Sequence, residues 1–277
     1  MSEGFDERAA MGALEAMGER RFGRVNWLGL MTLCERECRR FLAIPAQTVL
    51  APLMTAALFL LIFDVAFGAA RGDVMGFAFV TFLAPGLMAM SVIQNAFANT
   101  SSSLISAKVN GNIVDTLMPP LSGFELTIGY LAGGIGRGLL IALTLLLAGV
   151  VFLGIEIAHP LAALGFIVLG SAFMGALGLL AAMQAQKFDQ MSALTNFVVT
   201  PLAFLSGTFY SVTALPPVLE AITRANPFFY AIDGMRWSIL GVSDSAPQLA
   251  FAVLGFASAV VVVLVWLGFR TGYRLKA

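Results

Sequence analysis

The sequence predicts an all-α membrane protein that crosses the bilayer six times. Hydrophobic residues make up 59% of the 277 residues and charged residues 12%, with a mean hydropathy of +0.89. Soluble domains are about 45–50% apolar and about 25% charged, so this composition excludes a soluble globular domain. A helix needs about 20 apolar residues to cross the hydrocarbon layer. Six stretches meet that requirement, near 46–67, 75–98, 126–154, 161–183, 192–211 and 247–269.

Two segments precede the first span. Residues 1–24 mix charges of both signs without an apolar core, so they predict a short solvated tail and not a cleavable signal peptide. Residues 25–43 predict a helix in the plane of the membrane interface, because Trp27 and other apolar side chains share one face. The charged side chains of this helix are expected on the opposite face: Glu35, Arg36, Arg39 and Arg40. The transmembrane domain is expected to extend over 25–277.

The distribution of lysine and arginine predicts the orientation. Twelve of these residues fall on the side of the two termini, three fall on the other side, and Arg137 lies in or near the third span. The more positive side usually faces the cytoplasm, so both termini and the tail are expected there. Every tryptophan and tyrosine then falls close to one of the two membrane interfaces, where these side chains are enriched.

The longest polar interruption of the apolar sequence lies between the second and third spans, at 100–125. Its apolar residues recur at every fourth position, the spacing of a helix with one apolar face. They are Ile105, Val109, Ile113 and Leu117. Three serines at 101–103 offer N-cap oxygens, and two prolines at 119–120 end the pattern. The sequence thus predicts one amphipathic helix over about 103–118 on the cytoplasmic side.

The polar face of this predicted helix is close to neutral. Lys108 is balanced by Asp115, and Asn110 and Asn112 lie between them. A helix that binds anionic lipid usually carries several lysines or arginines. The pattern therefore favours docking on a protein partner, and lying on lipid is the weaker alternative.

Polar residues inside two predicted spans recur at every fourth position, so each set follows one ridge of its helix. On the second span they are Ser91, Asn95 and Asn99, and on the fifth span they are Ser192, Asn196 and Thr200. Side-chain amides are costly in hydrocarbon unless they pair or face water, so both ridges are expected to point away from lipid. They either line a translocation path near its inner mouth or form hydrogen bonds between helices.

Arg137 is the one full charge expected near bilayer depth. It either forms an ion pair or extends its side chain to the interface from the start of the third span. Glu125 is twelve positions away on the same helix, which is about 120° around the helix axis. The two side chains do not share a face, so an ionic partner has to come from another helix.

No sequence motif for catalysis, nucleotide binding or metal binding is present. The chain lacks the phosphate loop G-x-x-x-x-G-K-S/T, and its single histidine, His159, stands without neighbouring cysteines or paired carboxylates. Cys34 and Cys38 are four residues apart, but a metal site needs further ligands and none lie nearby in the sequence. Glycines at 129, 133, 134 and 138 have the spacing that lets helices approach closely, so they predict packing. The net charge of zero gives no general attraction for nucleic acid.

The segment 211–246, before the last span, predicts two short helices. Two prolines at 216–217 start the first helix, and the pair Asn226–Pro227 separates it from the second, which runs from Phe228 to Leu240. Both are too apolar for a solvated loop. We expect these two helices either to dip into the outer leaflet, as a re-entrant helical hairpin, or to cap the path from outside.

The order of these features resembles the ABC-2 type permease family, the membrane subunits of type-2 ABC exporters. Four strings carry the resemblance: LAPGLMAMSVIQNAFANTSSSL, KVNGNIVDTLMPPLSGFELTIGYLAGGIGRG, TPLAFLSGTFYSVTALPP and ANPFFYAIDGMRW. They look most similar to small bacterial inner-membrane permeases that work with a separately encoded ATPase. The resemblance covers about residues 25–270.

The resemblance implies a transporter of two permease chains, most simply a homodimer, and two ATPase subunits. ATP and Mg are then expected on the separate ATPase subunit, and no cofactor on this chain. In the family, the helix between spans two and three is a coupling helix that the ATPase receives, and spans two and five line the path. Family substrates are hydrophobic or amphipathic: drugs, lipids or lipid-linked glycans.

Two other classes compete with this interpretation. A stand-alone secondary transporter usually shows internal repeats and ionisable residues at the bilayer midplane. The two halves of this sequence do not match each other, and Arg137 alone is weak support. A membrane-embedded enzyme or assembly factor without an ATPase partner is the other alternative, and an enzyme would show paired carboxylates or histidines at one membrane face. Co-purification with an ATPase subunit separates these classes from the exporter.

Overall fold

The computed structural model describes residues 25–67 and 72–275, which fold into α-helices connected by short loops. The predicted tail 1–24 lies outside the described residues. Within the described ranges, β-type pairing is limited to one bridge between Val74 and Phe77. The helices are α1 (Trp27–Leu42), α2 (Ala46–Phe67), α3 (Phe79–Val109), α4 (Ile113–Leu117), α5 (Gly123–Leu153), α6 (Pro160–Gln184), α7 (Phe188–Leu194), α8 (Thr200–Leu205), α9 (Pro217–Ala225), α10 (Pro227–Leu240) and α11 (Pro247–Thr271).

Five of the described helices are long and apolar enough to cross a membrane: α2, α3, α5, α6 and α11. They match five of the six predicted spans. α3 begins at Phe79 and not at residue 75, because Met75 and Gly76 form a tight turn with φ angles of 53° and 83°. α3 and α5 have 31 residues each. At 1.5 Å per residue each is about 46 Å long, so both project beyond a hydrocarbon layer of about 30 Å.

The sixth predicted span, 192–211, corresponds to a shorter and irregular helix. The chain is helical from Phe188 to Leu205, but its middle five residues, Thr195–Val199, form a π-helical section. The helix stops at Leu205, and Gly207 then adopts a φ of +78°. This α7–α8 segment is not one of the five candidate spans, and 206–211 lies outside any helix.

A proline follows both π-helical sections at the same offset. The section Ala46–Leu50 ends two residues before Pro52, and Thr195–Val199 ends two residues before Pro201. Proline cannot donate a hydrogen bond, and its ring crowds the carbonyl of the preceding turn. The wider π turn relieves this crowding while the helix continues. α2 therefore carries a weak point in its first turns, and the α7–α8 segment carries one at its middle.

α3 is the central helix of the bundle, in contact with α2, α5, α6 and α10. Glycines bring its backbone close to α6. A Cβ atom on Gly178 would lie 2.6 Å from the carbonyl oxygen of Phe97 and 2.5 Å from Thr100 Oγ1. Thr100 Oγ1 also donates a hydrogen bond to the Gly175 carbonyl at 2.7 Å. Gly134 of α5 packs against the same threonine, which confirms the packing role predicted for the glycines of α5.

A buried arginine holds together the end of the bundle that contains α9 and α10, called the hairpin end below. Arg236 of α10 is fully buried; its Nη2 donates to the Gly207 carbonyl at 2.5 Å, and its guanidinium lies 4.2 Å from the Phe82 ring centre. Asp233 and Asp244 are each 3.9 Å from Arg236 Nη1, and backbone amides donate to both carboxylates. These contacts fix the hairpin, which has the predicted break between its two helices, against α3.

Gly178→Ala should destabilise the protein, because the added methyl group meets a backbone carbonyl that moves only with α3. Overpacking of this kind costs about 1–3 kcal/mol, so we expect a lower Tm in detergent. Gly255→Ala in α11 is the matched control, since its Cβ position faces open space. There alanine should keep or raise Tm, because it favours a helix over glycine by about 1 kcal/mol. Equal Tm shifts in the two variants would contradict a tight contact between α3 and α6.

Candidate functional site

The stretch between the second and third spans does not form one helix. α3 continues through 101–103 to Val109, so the three serines lie inside a helix and cap nothing. The chain then turns at Asn110, Gly111 has a φ of +75°, and α4 covers only Ile113–Leu117. The predicted single helix over 103–118 is therefore wrong. An Asn-Gly pair stops a helix because both residues tolerate the left-handed backbone conformation.

The turn divides the predicted apolar face into a buried part and an exposed part. Ile105 and Ile113 are 1% and 7% exposed and pack into the bundle, and Leu117 is half-buried. The exposed apolar side chains are Val109, Val114 and Met118, at 46%, 54% and 76%. Asp115 is exposed beside them. Val109, Val114, Asp115 and Met118 are together called the exposed turn.

Lys108 caps α6 and does not lie on a free polar face as predicted. Its Nζ donates hydrogen bonds to the carbonyl oxygens of Ala182, Met183 and Ala185 at 3.0, 2.8 and 2.6 Å. These carbonyls belong to the C-terminal end of α6, where the helix dipole favours a cation. Lys108 therefore joins the end of α3 to the end of α6.

A buried carboxylate of α1 lies next to the exposed turn. The Glu37 side chain has no exposed surface and shares one face of α1 with Leu33 and Phe41. This face packs closely on α5, since a Cβ atom on Gly133 would lie 2.6 Å from Glu37 Cβ. Ser103 of α3 donates a hydrogen bond to Glu37 Oε1 at 2.9 Å. Glu37 thus lies where α1, α3 and α5 meet.

Two arginines that the sequence placed on the outward face of α1 turn inward to Glu37. Arg36 Nη2 is 2.9 Å from Glu37 Oε1, and Arg40 Nε is 3.4 Å from Oε2. A buried carboxylate is stable only with opposite charges and hydrogen-bond donors around it. Arg36 and Arg40 therefore lie on the polar face of α1, with 46% and 35% of their side chains exposed, and their guanidinium groups reach from it to Glu37.

The same two arginines connect α1 to its neighbours. Arg36 Nη1 donates to Thr116 Oγ1 of α4 at 3.0 Å, and its guanidinium lies 5.7 Å from the ring centre of Tyr130 in α5. Arg40 Nη2 donates to Asn99 Oδ1 of α3 at 3.0 Å. These contacts link α4 to α1 through Arg36, and α1 to α3 through Arg40.

The first predicted polar ridge separates into two parts. Asn99 is fully buried beside Arg40, whereas Ser91 and Asn95 are half-exposed. Asn95 Nδ2 donates to the Ser91 carbonyl at 2.9 Å, and Asn95 Oδ1 accepts a hydrogen bond from Arg137 Nη2 of α5 at 2.9 Å. Arg137 thus finds a partner on another helix, as the sequence required, but this partner is a neutral amide.

The second predicted ridge lies on the α7–α8 segment, and most of it is on the surface of the chain. Ser192 and Asn196 are exposed, and Thr200 is half-buried. The segment packs loosely, since a mostly apolar cavity of about 620 Å³ lies between it and α6. In the described parts of the chain, no hydrogen bond joins this ridge to Ser91 or Asn95. One chain alone does not bring the two ridges together.

The sequence profile of the ABC-2 type transporter family matches residues 29–240, from α1 to the end of α10. The chain belongs to the ABC-2 type transporter family. Inner membrane transport permease YadH of Escherichia coli K12 is 34% identical over 251 residues, which cover 91% of this chain and 98% of the relative. Nodulation protein J of Sinorhizobium fredii is 26% identical over 200 residues, or 70% and 76% of the two chains. The same protein of Rhizobium leguminosarum is 25% identical over 231 residues, or 79% and 84%.

Family membership identifies the chain as a transport permease and a multi-pass protein of the inner membrane. The ABC-2 type transporter family is a family of permeases and not of enzymes. Its members generally work with an ABC ATPase partner.

The described residues of the permease contain no group of three or more His, Cys, Asp or Glu side chains placed to bind a metal ion. Cys34 and Cys38 are partly buried on α1, and this burial raises the pKa of both thiols. The thiolate is the form that binds metal ions, and a raised pKa disfavours it. A Cβ atom on Gly136 would lie 3.6 Å from Cys38 Sγ, so this cysteine packs against α5 as a small apolar side chain.

Sequence reasoning did not reveal Glu37 and Thr116. The signal for Glu37 was available, because it is four residues from both Leu33 and Phe41 and so shares their buried face. Thr116 carried no such signal. The turn before a five-residue helix decides which of its side chains point toward the bundle. Here that turn is formed by the backbone conformation of Gly111, which side-chain periodicity does not reveal.

Glu37→Gln should destabilise the permease, because it removes the buried carboxylate that Arg36 and Arg40 share. The two arginines are 46% and 35% exposed, so water compensates part of the loss, and we expect a cost of about 1–3 kcal/mol and a lower Tm in detergent. Glu35→Gln is the matched control, since its ion pair with Arg39 is exposed. Exposed pairs contribute about 0–1 kcal/mol. Similar Tm values for the two variants would show that Glu37 does not organise this end of the bundle.

Proposed function

We propose that this permease is the membrane subunit of an ATP-driven exporter, in which a separate ATPase subunit docks on the exposed turn. The observation that carries the proposal is the hydrogen bond from Arg36 to Thr116, because it ties α4 to the helices of the bundle. A subunit that pushes on α4 would act on α1, and through Glu37 and Arg40 on α3. This is the mechanical link that a coupling helix requires.

The composition of the exposed turn supports a protein partner. Val109, Val114 and Met118 place three exposed apolar side chains around one carboxylate, Asp115. The centre of a protein interface is depleted of charge, and methionine is enriched there. Binding to anionic lipid would need basic side chains, and Lys108 is already occupied by the carbonyls of α6.

The distribution of positive charge supports a cytoplasmic location for the exposed turn. The side chains of Arg36, Arg40 and Lys108 lie at the same end of the bundle as α4. Arg224 and Arg236 lie at the hairpin end. By the positive-inside rule both termini would be cytoplasmic. ATP and Mg would bind to the partner subunit, because this chain has no phosphate loop.

The polar ridges support a path between two copies of the permease. Ser91 and Asn95 are half-exposed, and Ser192 and Asn196 are exposed, within otherwise apolar helices. Contact between such side chains and lipid is costly. A second copy, most simply an identical one, would cover both ridges and leave a polar passage between them. Asn99 belongs to the packing of α1 on α3 and would not line this passage.

The substrate class and the direction of transport rest on the family resemblance. The substrate would be hydrophobic or amphipathic, such as a drug, a lipid or a lipid-linked glycan. A stand-alone secondary transporter is the second candidate, and Arg137 inside α5 is the observation in its favour. That candidate leaves the exposed turn without a partner, so recovery of an ATPase subunit with the purified permease distinguishes the two.

Val114→Asp should prevent ATPase docking without unfolding the permease, because Val114 is 54% exposed. We expect normal membrane levels and an unchanged Tm. A tagged variant should recover about tenfold less ATPase subunit on affinity purification, the size of effect expected for one central interface residue. Ile113→Asp is the control at the adjacent position. It buries an unpaired charge in a site that is 7% exposed, so it should lower Tm. Normal ATPase recovery with Val114→Asp and Met118→Asp combined would rule out docking at the exposed turn.

Asn196→Leu should reduce transport and leave Tm unchanged, because Asn196 is exposed in the single chain. Asn99→Leu should lower Tm, because Asn99 is fully buried and accepts a hydrogen bond from Arg40. ATP-dependent efflux from vesicles that contain the permease and its ATPase measures transport, and thermal unfolding in detergent gives Tm. A lower Tm with unchanged efflux for Asn196→Leu would assign the second ridge to packing.

A further inference from the structure

Arg137 is buried beside the half-exposed part of the first ridge without a negative partner. The residue is 7% exposed. Its Nη2 donates to Asn95 Oδ1 at 2.9 Å, and its Nε has no hydrogen-bond acceptor among the described residues. No carboxylate in the described ranges forms an ion pair with it. A buried cation in this setting is costly, because one neutral amide does not replace the lost hydration.

The neighbouring charged groups do not supply the negative charge that Arg137 lacks. Arg36 and Arg40 share the carboxylate of Glu37, so it does not serve Arg137. Asn99 Nδ2, buried beside Arg40, also lacks an acceptor among the described residues. Hydrogen-bond donors and positive charges therefore exceed acceptors and negative charges at this position. Such a site suits a ligand that brings negative charge and acceptor oxygens.

The surface of α3 beside Arg137 is partly exposed. A stripe of small and polar side chains that are exposed or half-exposed leads to it: Ser91, Gln94, Asn95 and Ala98. Arg137 is fourteen residues after Gly123, which is about 21 Å along α5, so it lies within the helix and not at its end. The stripe is the surface that the proposed path would use. A ligand in that path reaches Arg137 through Asn95.

We propose that Arg137 and Asn95 bind the anionic head group, a phosphate or a carboxylate, of an amphipathic substrate in the path. Asn95 holds the guanidinium in place through Nη2, and Nε is a buried donor without an acceptor among the described residues. Hydrogen bonds from a guanidinium to the oxygens of an anion are charge-assisted and about twice as strong as those between neutral groups. The inference rests on the proposed function, and it narrows the substrate from any hydrophobic or amphipathic molecule to an anionic amphiphile.

The test compares two amphiphiles with the same alkyl chain: dodecyl phosphate, which is anionic, and dodecylphosphocholine, which is zwitterionic. Each is titrated by calorimetry into the permease–ATPase complex in nanodiscs. The wild type should bind dodecyl phosphate about tenfold more tightly, a difference of about 1.4 kcal/mol. Arg137→Gln should lose this preference, and Arg137→Lys should keep part of it because the positive charge remains. Arg270→Gln removes an exposed arginine at the end of α11 and should keep the full preference.

Equal binding of the two amphiphiles by the wild type overturns the proposal, and so does a full preference in Arg137→Gln. The comparison of the two amphiphiles on the wild type needs no variant. It can therefore overturn the proposal even where Arg137→Gln does not fold. Recovery of the ATPase subunit reports separately on the proposed function: an intact complex without the preference disproves the anion site alone. The permease without its partner can be titrated in the same way.

The same probe separates a substrate from a membrane lipid that only occupies the site. ATP-dependent export of labelled dodecyl phosphate from vesicles, reduced in Arg137→Gln, supports substrate recognition. Preferential binding without export contradicts it.

Discussion

Glu37 places a negative charge at the closest contact between α1 and the rest of the bundle. Because residue 133 is a glycine, α1 and α5 approach until this carboxylate has no exposed surface. A buried charge needs opposite charges and donors around it, so Arg36, Arg40 and Ser103 converge on Glu37. These contacts attach α1 to α3, α4 and α5. Ion pairs of Glu37 and the apolar face of α1 both hold this helix on the bundle.

In the proposed exporter, this attachment would let a very short helix act on long ones. α4 has only five residues, and an isolated helix of that length is unstable in water. Its position depends on Ile113, which is buried in the bundle, and on the bond from Arg36 to Thr116. Lys108 fixes the end of α3 to α6 through three carbonyls. A movement of the exposed turn would therefore displace α3 and α6 together, because the close glycine contact between them leaves no room to slide.

Features that depend on local chemistry could be predicted from the sequence. The five long helices needed only a count of apolar residues, and the break at Asn226–Pro227 needed only a proline. The direction in which each polar side chain points could not be predicted, because it depends on the neighbouring helices. Serines at 101–103 suit an N-cap, but in α3 the Ser102 hydroxyl donates to the Asn99 carbonyl one turn earlier, so the helix continues. The polar ridges were visible as periodic amides, yet only the position of Arg40 shows that Asn99 is a packing residue.

The α7–α8 segment carries several features that a single chain does not stabilise. Asn196 is exposed, Pro201 interrupts the hydrogen-bond pattern, and a cavity of about 620 Å³ separates the segment from α6. In hydrocarbon an exposed amide and a loosely packed helix are both unfavourable, which is why the proposal places a second copy of the permease against this segment. In the proposed exporter a second copy covers the ridge, and the cavity behind the segment leaves it free to shift. The segment can then follow the movement of α3 while Asn196 stays out of lipid.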